Sequence, residues 1–242
     1  MLLLPGADIP YTLTRSLRRR SLAVRIEEDG RVRVLAPVRL DAAVIERFLQ
    51  QKSNWIYKKV VQAQTRHQYL GQRAFAEGQV FLFLGGRFKI EIHRSSVSKV
   101  QVTFDGNRWL IHLPDCEPGE GHSSQIHRRM IQWYQEQARE ILGGRVWHYA
   151  RIMNLQPQTI SVRTQRRIWG SCDYRKKSVR LNWQIVMTPL SVIDYVVVHE
   201  LCHLVIPNHS PRFWKKVAQV MPDYLERHKW LKDNALDLVL PK

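Results

Sequence analysis

The sequence predicts an α+β protein in two parts: a β-rich N-terminal subdomain over residues 1–115 and, over 122–242, helices packed with a small sheet. Three observations carry this. Alternating apolar and polar runs with Gly-containing turns fill most of the first half. Between Pro114 and Ser124 the chain holds Pro118, Gly119 and Gly121 and is almost without apolar residues, which reads as a surface linker. From there on helical periodicity dominates.

In order, Leu22, Val24 and Ile26 alternate, as do Val32 and Val34 beyond a turn at Asp29 and Gly30, which predicts a hairpin within Tyr11–Pro37. Apolar residues at Val44, Ile45, Phe48, Leu49, Ile56, Val60 and Val61 predict a helix from an Asp41 cap to Gln64. Two more hairpins follow, Val80–Ile92 around Gly85 and Gly86, and Lys99–Leu113 around Asp105 and Gly106. A long amphipathic helix begins after Ser123 or Ser124 and runs through Tyr134, Ala138 and Leu142 toward Tyr149, kinking at or tolerating Gly143 and Gly144. Thr159–Val162 and Lys177–Trp183 flank Ile168–Arg175 as a small sheet. Thr188 as N-cap and Pro189 as first helical residue then open a helix that ends after Ile206, before Pro207. Asp223 to Trp230 reads as a last helical segment.

With 242 residues and a 44% apolar share, the chain can bury a substantial core, which excludes a disordered protein. A net charge of +17 draws it toward polyanions such as nucleic acid or nucleotides, and Arg15, Arg18, Arg19, Arg20 and Arg25 suggest a basic strand face. Three widely spaced cysteines form neither a disulfide framework nor a CxxC clip, so a cytoplasmic location is expected. The apolar start, Met1–Leu4, stops at Pro5, too early for a signal peptide or a transmembrane segment. Nothing in the sequence speaks to oligomeric state.

The helix opened at Thr188 contains His199-Glu200-Leu201-Cys202-His203. Residues four apart share a helical face, so both imidazoles can reach one ion; Glu200, rotated about 100°, reaches a water on that ion instead. A chance HExxH in this composition has a probability of about 2%, so context must decide. Context favours it: Val196, Val197, Val198, Leu201, Leu204 and Val205 make the helix apolar nearly all round, and a carboxylate there needs a reason. A catalytic zinc site takes three protein ligands and a water. His209 is the candidate third ligand, reached if the chain turns back through Pro207 and Asn208, a residue that tolerates the left-handed conformation.

Trp169-Gly170-Ser171-Cys172, then His199-Glu200-Leu201-Cys202-His203-Leu204, then Asn208-His209-Ser210 with Phe213-Trp214 resemble the YgjP-like metallopeptidases, zincins related to the SprT and WLM proteases. The resemblance spans most of the chain. It implies a zincin-like catalytic domain, Zn²⁺ on His199, His203 and His209, Glu200 as catalytic base, and an unfolded or extended polypeptide as substrate. Val205, Ile206, Pro207 and Asp173 depart from the family's pattern.

Metal-activated water would then cleave peptide bonds, with Tyr174, Arg166 or Arg167 stabilising the transition state and Asp223 or His228 orienting a ligand imidazole. The Lys177–Trp183 strand would offer a sheet edge to the peptide. Cys202 and Cys172 read as packed rather than nucleophilic. Two other functions remain in view: a nucleoside-triphosphate pyrophosphatase using the same site, which the family resemblance implies and the +17 charge favours, and a nucleic-acid-binding module with a structural zinc. The first is disfavoured by the lack of an acidic cluster for Mg²⁺, the second by an intact Glu200.

Overall fold

The computed structural model describes residues 2–4, 9–71, 75–115, 122–165 and 168–241. They form two compact units, Met1–Arg73 and Ala74–Lys242. The division falls ahead of the second pair of hairpins, not at the Pro/Gly-rich stretch, whose residues 116–121 lie outside the described residues.

In the first unit the strands β1 (Leu2–Leu3), β2 (Pro10–Ser16), β3 (Ala23–Ile26) and β4 (Val32–Pro37) form a sheet in the order β1-β2-β4-β3. The expected hairpin is β3–β4, with Ile26 opposite Val32 and Gly30 at φ +89° in its turn. β2 joins β4 in parallel, so β2 and β3 are not neighbours. Helix α1 (Ala42–Gly71) starts where Asp41 Oδ1 accepts from Ala43 N (2.9 Å) and runs past the expected end at Gln64. Ile45, Leu49, Ile56 and Val60 bury its inner stripe against Val32, Val34 and Ala36.

The second unit joins a four-stranded sheet, a three-stranded sheet and four helices among the described residues. β5 (Val80–Phe83), β6 (Gly86–Ser95), β7 (Gln101–Phe104) and β8 (Arg108–Pro114) are the two expected hairpins, merged by parallel pairing of β6 with β8. Helix α2 (His122–Ile152) is continuous through Gly143 and Gly144 and buries Met130, Tyr134, Ala138, Leu142 and Val146. The small sheet has β9 (Thr159–Arg163), β10 (Gly170–Asp173) and β11 (Ser178–Asn182) in the order β10-β11-β9. After a 3-10 turn, Trp183–Met187, come α3 (Leu190–Cys202), α4 (Pro211–Val220) and α5 (Tyr224–Asp233).

Main-chain bonds show why the second sheet belongs with these helices. The β5–β6 turn donates from Leu84 N to Val186 O (2.7 Å) and from Gly85 N to Met187 O (3.2 Å). Gly85, at φ +82°, lies so close to Pro189 that a Cβ would sit 3.0 Å from its Cα, so only glycine fits both the turn and the approach. One apolar core runs from Phe81, Ile90 and Trp109 through α2 to Val197 and Phe213. Among the described residues no helix is long and apolar enough to cross a membrane.

Three local expectations change. Thr188 does not cap α3: fully buried, its hydroxyl donates to Ile185 O (2.8 Å) and closes the 3-10 turn, leaving Pro189 at the cap position. Regular helix stops at Cys202 rather than Ile206, and His203 is its C-cap. The return toward His209 uses no left-handed residue, since Asn208 is not among the residues with positive φ.

Candidate metal centre

α3 is apolar because it is buried on nearly all sides; Val192, Ile193, Val196, Val197, Val198, Leu201 and Cys202 are all core. Arg145 of α2 anchors it through a two-pronged ion pair with Asp194, at 2.6 and 2.9 Å, five residues before His199. His199, one turn from the helix end, and His203, at its C-cap, project on one side, and the 204–208 segment brings His209 back to them.

His209 Nε2 lies 3.0 Å from His199 Nε2 and 3.2 Å from His203 Nε2. The His203 Nδ1 atom lies 3.0 Å from Ile206 O, an attractive contact only if Nδ1 carries the proton, so in the neutral ring Nε2 presents its lone pair to the cluster. Burial, then the neighbouring His203, His209 and His228, hold His199 far below the ordinary imidazole range, down to about 3, so it stays neutral. Burial likewise lowers His203.

Two nitrogens bound at about 2.0–2.1 Å to one tetrahedral ion stand about 3.3–3.4 Å apart, close to the spacings seen here. Protons alone serve the cluster poorly: His209 Nε2 can accept a hydrogen or donate one, but with His203 Nε2 also a lone pair it cannot satisfy both neighbours well. The residues therefore fit a divalent cation with a taste for nitrogen.

The rings rest on α4. Phe213 stacks on His203 (centroids 4.5 Å apart) and meets His199 edge-on, while Trp214 stacks on His209 (5.7 Å) and on Tyr224 (5.4 Å). This aromatic floor went unnoticed as such in the sequence; its signal is the Phe-Trp pair four and five residues after His209 on a strongly amphipathic segment.

Glu200 is 5% exposed and packs against Gly170 of β10. A Cβ on Gly170 would sit 2.6 Å from both Glu200 Cγ and Oε1, so the glycine makes room for the carboxylate. Burial alone pushes its carboxyl up to about 8. A cavity of about 470 Å³ opens beside it, lined by Ile168, Trp169, Cys172, Tyr195 and Pro207 among others, together with the three imidazoles and Glu200.

His228 of α5 lines this cavity and stacks on Tyr195 (5.9 Å, rings 13° from parallel), which in turn meets His199 edge-on. Burial, Glu200 and Tyr224 push the Tyr195 phenol up to about 12, so it remains a proton donor. Asp223 is elsewhere: its carboxylate pairs with Arg227 at 2.8 Å and takes no part in the cavity wall. Tyr174 sits exposed in the β10–β11 turn, where it accepts from Arg175 Nε (3.0 Å). Arg166 and Arg167 lie outside the described residues. Cys202 is fully buried; Cys172 lines the cavity, but burial, then Glu200 and Asp173, push its thiol up to about 12, which removes it as a nucleophile. Asp173 accepts from Lys176 N (3.1 Å) and shapes the turn after β10.

The YgjP-like metallopeptidase domain matches residues 20–234. The chain belongs to this family. It therefore has a metallopeptidase-like function, with a metal implied and polypeptide as the substrate class. Two solved structures are similar over 39% of this chain: the metallopeptidase zymogen abylysin of Pyrococcus abyssi (22% identity, TM-score 0.34, 91% of its own chain) and the zymogen jannalysin of Methanocaldococcus jannaschii (19%, 0.36, 96%). No curated protein matches.

Proposed function

We propose that this YgjP-like metallopeptidase is a zinc peptidase of zincin type, in which His199, His203 and His209 hold the ion and Glu200 is the general base. One observation carries the reading: three imidazole nitrogens converge beside a buried carboxylate from the same helix turn, at the wall of an open cavity. A zinc ion there supplies a Lewis acid that acidifies a water and polarises a carbonyl. Glu200 takes a proton from the attacking water at its carboxylate and delivers it to the leaving amide nitrogen. A cation at the imidazoles favours the ionised carboxylate, opposing the effect of burial on Glu200. His203 is held in its ligating tautomer by Ile206 O. Tyr195 and His228, within the cavity, take the place of Tyr174 as donors to the developing oxyanion.

β10 supports an extended substrate. It is an edge strand, it carries Gly170 against Glu200, and its open side can accept a peptide as a further strand. β11, the expected edge, is the central strand of its sheet. Ile168, Trp169, Pro207 and Leu231 in the cavity wall suit an apolar side chain next to the scissile bond.

The open cavity weighs against a closed structural zinc. Nucleotide hydrolysis by carboxylate-bound Mg²⁺ lacks its ligands: among the described residues the only cluster of potential metal ligands is the three histidines.

The test compares wild type with Glu200→Gln for zinc content and for hydrolysis of an unfolded protein and of nucleoside triphosphates. About one zinc per chain in both, with peptide cleavage by wild type alone, is the expected result. Zinc-independent cleavage, or cleavage of nucleotide instead of peptide, would overturn it.

A further inference from the structure

The excess positive charge is not spread evenly. Residues 1–73 hold 14 Lys+Arg against six Asp+Glu, close to half of the net +17 on under a third of the chain. On the sheet of that unit much of it is engaged. Arg31 pairs with Asp29 and Arg33 with Glu27, while Arg15 donates to the carbonyls of Val38 and Leu40. The anticipated basic strand face does not form: Arg18, Arg19 and Arg20 lie in the turn after β2, and β4 separates the strands of Arg15 and Arg25.

α1 is different. It carries Arg47, Lys52, Lys58, Lys59 and Arg66, all exposed, and its only acid is Glu46, on the other side of the helix near Tyr11. Among the described residues none of the five has an acidic partner. Lys52, Lys59 and Arg66 recur every seven residues, so they stand about 10.5 Å apart along one stripe that drifts only about 20° per step. Trp55 lies on the same stripe and is 48% exposed. Its helical neighbours there are Gln51, Lys52, Lys58, Lys59 and Gln62.

We propose that this face of α1 binds single-stranded nucleic acid, with the cations on phosphates along the strand and Trp55 stacked on a base. Charge complementarity selects a polyanion. The half-exposed indole selects a strand whose bases are free to stack, which a duplex does not offer. A bilayer is disfavoured because the exposed apolar residues of α1 fall on two different faces, Val44 and Trp55 on one and Tyr57 and Val61 on another, instead of forming one stripe, and the indole's neighbours one turn away are Lys and Gln. α1 belongs to the first compact unit and the histidine cluster to the second, and the two activities are tested separately.

The experiment is fluorescence anisotropy of a labelled 20-nucleotide single strand with the full chain, between 50 and 200 mM salt. The comparison set is wild type, the triple variant Lys52→Gln/Lys59→Gln/Arg66→Gln, and Trp55→Ala. Each phosphate contact contributes about −0.7 to the slope of log K against log salt, so the triple variant should lose about 2 units of slope; its deficit relative to wild type then shrinks about 18-fold from 50 to 200 mM salt. Trp55→Ala should weaken binding about tenfold with the slope unchanged. Circular-dichroism spectra and thermal melts like those of wild type show that both variants are folded. Unchanged binding or slope in the triple variant overturns the proposal. So does a preference for duplex that ignores Trp55, or binding of anionic vesicles but not of oligonucleotide.

Discussion

Replacing Gly170 with alanine tests the role of Glu200 without touching a charge. The new Cβ would sit 2.6 Å from Glu200 Cγ and Oε1 and 2.8 Å from Cδ, whereas ordinary contact begins at 3.4 Å, so the carboxylate must retreat by about 0.8 Å. Glu200 is 5% exposed and borders the cavity, so the retreat shifts its carboxylate relative to the three imidazoles. The backbone at Gly170 is not left-handed and accepts alanine without strain. A displacement of this size in a reacting group costs about 100-fold in rate, or about 2.7 kcal/mol of activation free energy. Overpacking destabilises the fold by about 1–3 kcal/mol, which leaves a folded protein at 25 °C. The assay pairs initial rates on an unfolded protein substrate with zinc content and a thermal melt. Gly170→Ala should keep its zinc, melt cooperatively and lose about two orders of magnitude in kcat. Full activity with zinc bound would show that the position of Glu200 does not govern the reaction.

Gly85→Ala should cost about 2 kcal/mol or more, from a positive φ together with a close approach to Pro189, and a urea midpoint within error of wild type would remove the argument that this turn holds the second sheet on the 183–189 segment. Asp194→Ala strands Arg145, whose side chain is 26% exposed and can partly rehydrate, so the loss belongs near the low end for a buried pair, about 3 kcal/mol. Chemical denaturation measures it, and a loss under about 1 kcal/mol would mean that α3 is held by apolar packing alone. Free zinc at about 100 times its Kd should stabilise wild type by about 2.7 kcal/mol against the chelator-treated protein. His209→Ala, at an exposed position, should leave the chelated protein's melting temperature unchanged and abolish the zinc-induced rise; a rise of wild-type size in the variant would exclude His209 as a ligand.

Where one segment contained its own explanation, the sequence was enough. Alternation with Gly30 or Gly106 in the turn located the hairpins, because a strand's side-chain period is local and these turns have positive φ. The HExxH spacing likewise placed His199 and His203 together, since four residues of helix hold them on one side. Partners distant in sequence were less legible. Lys177–Trp183 was expected at an edge, but whether a strand is central depends on what pairs with both sides, and here β9, from Thr159–Arg163, covers the second. Thr188 looks like an N-cap from its neighbours, yet burial against the 3-10 turn gives its hydroxyl a nearer acceptor. Tyr174 and Asp223, candidates by their position along the chain, are engaged by Arg175 and Arg227. Tyr195 went unnoticed because one helical turn before His199 it reads as another core aromatic; only α5, packing across the cavity, sets His228 on its ring. Gly170 shows the same limit most sharply, since WGSC marks a motif but not that its glycine is the space occupied by a carboxylate thirty residues on.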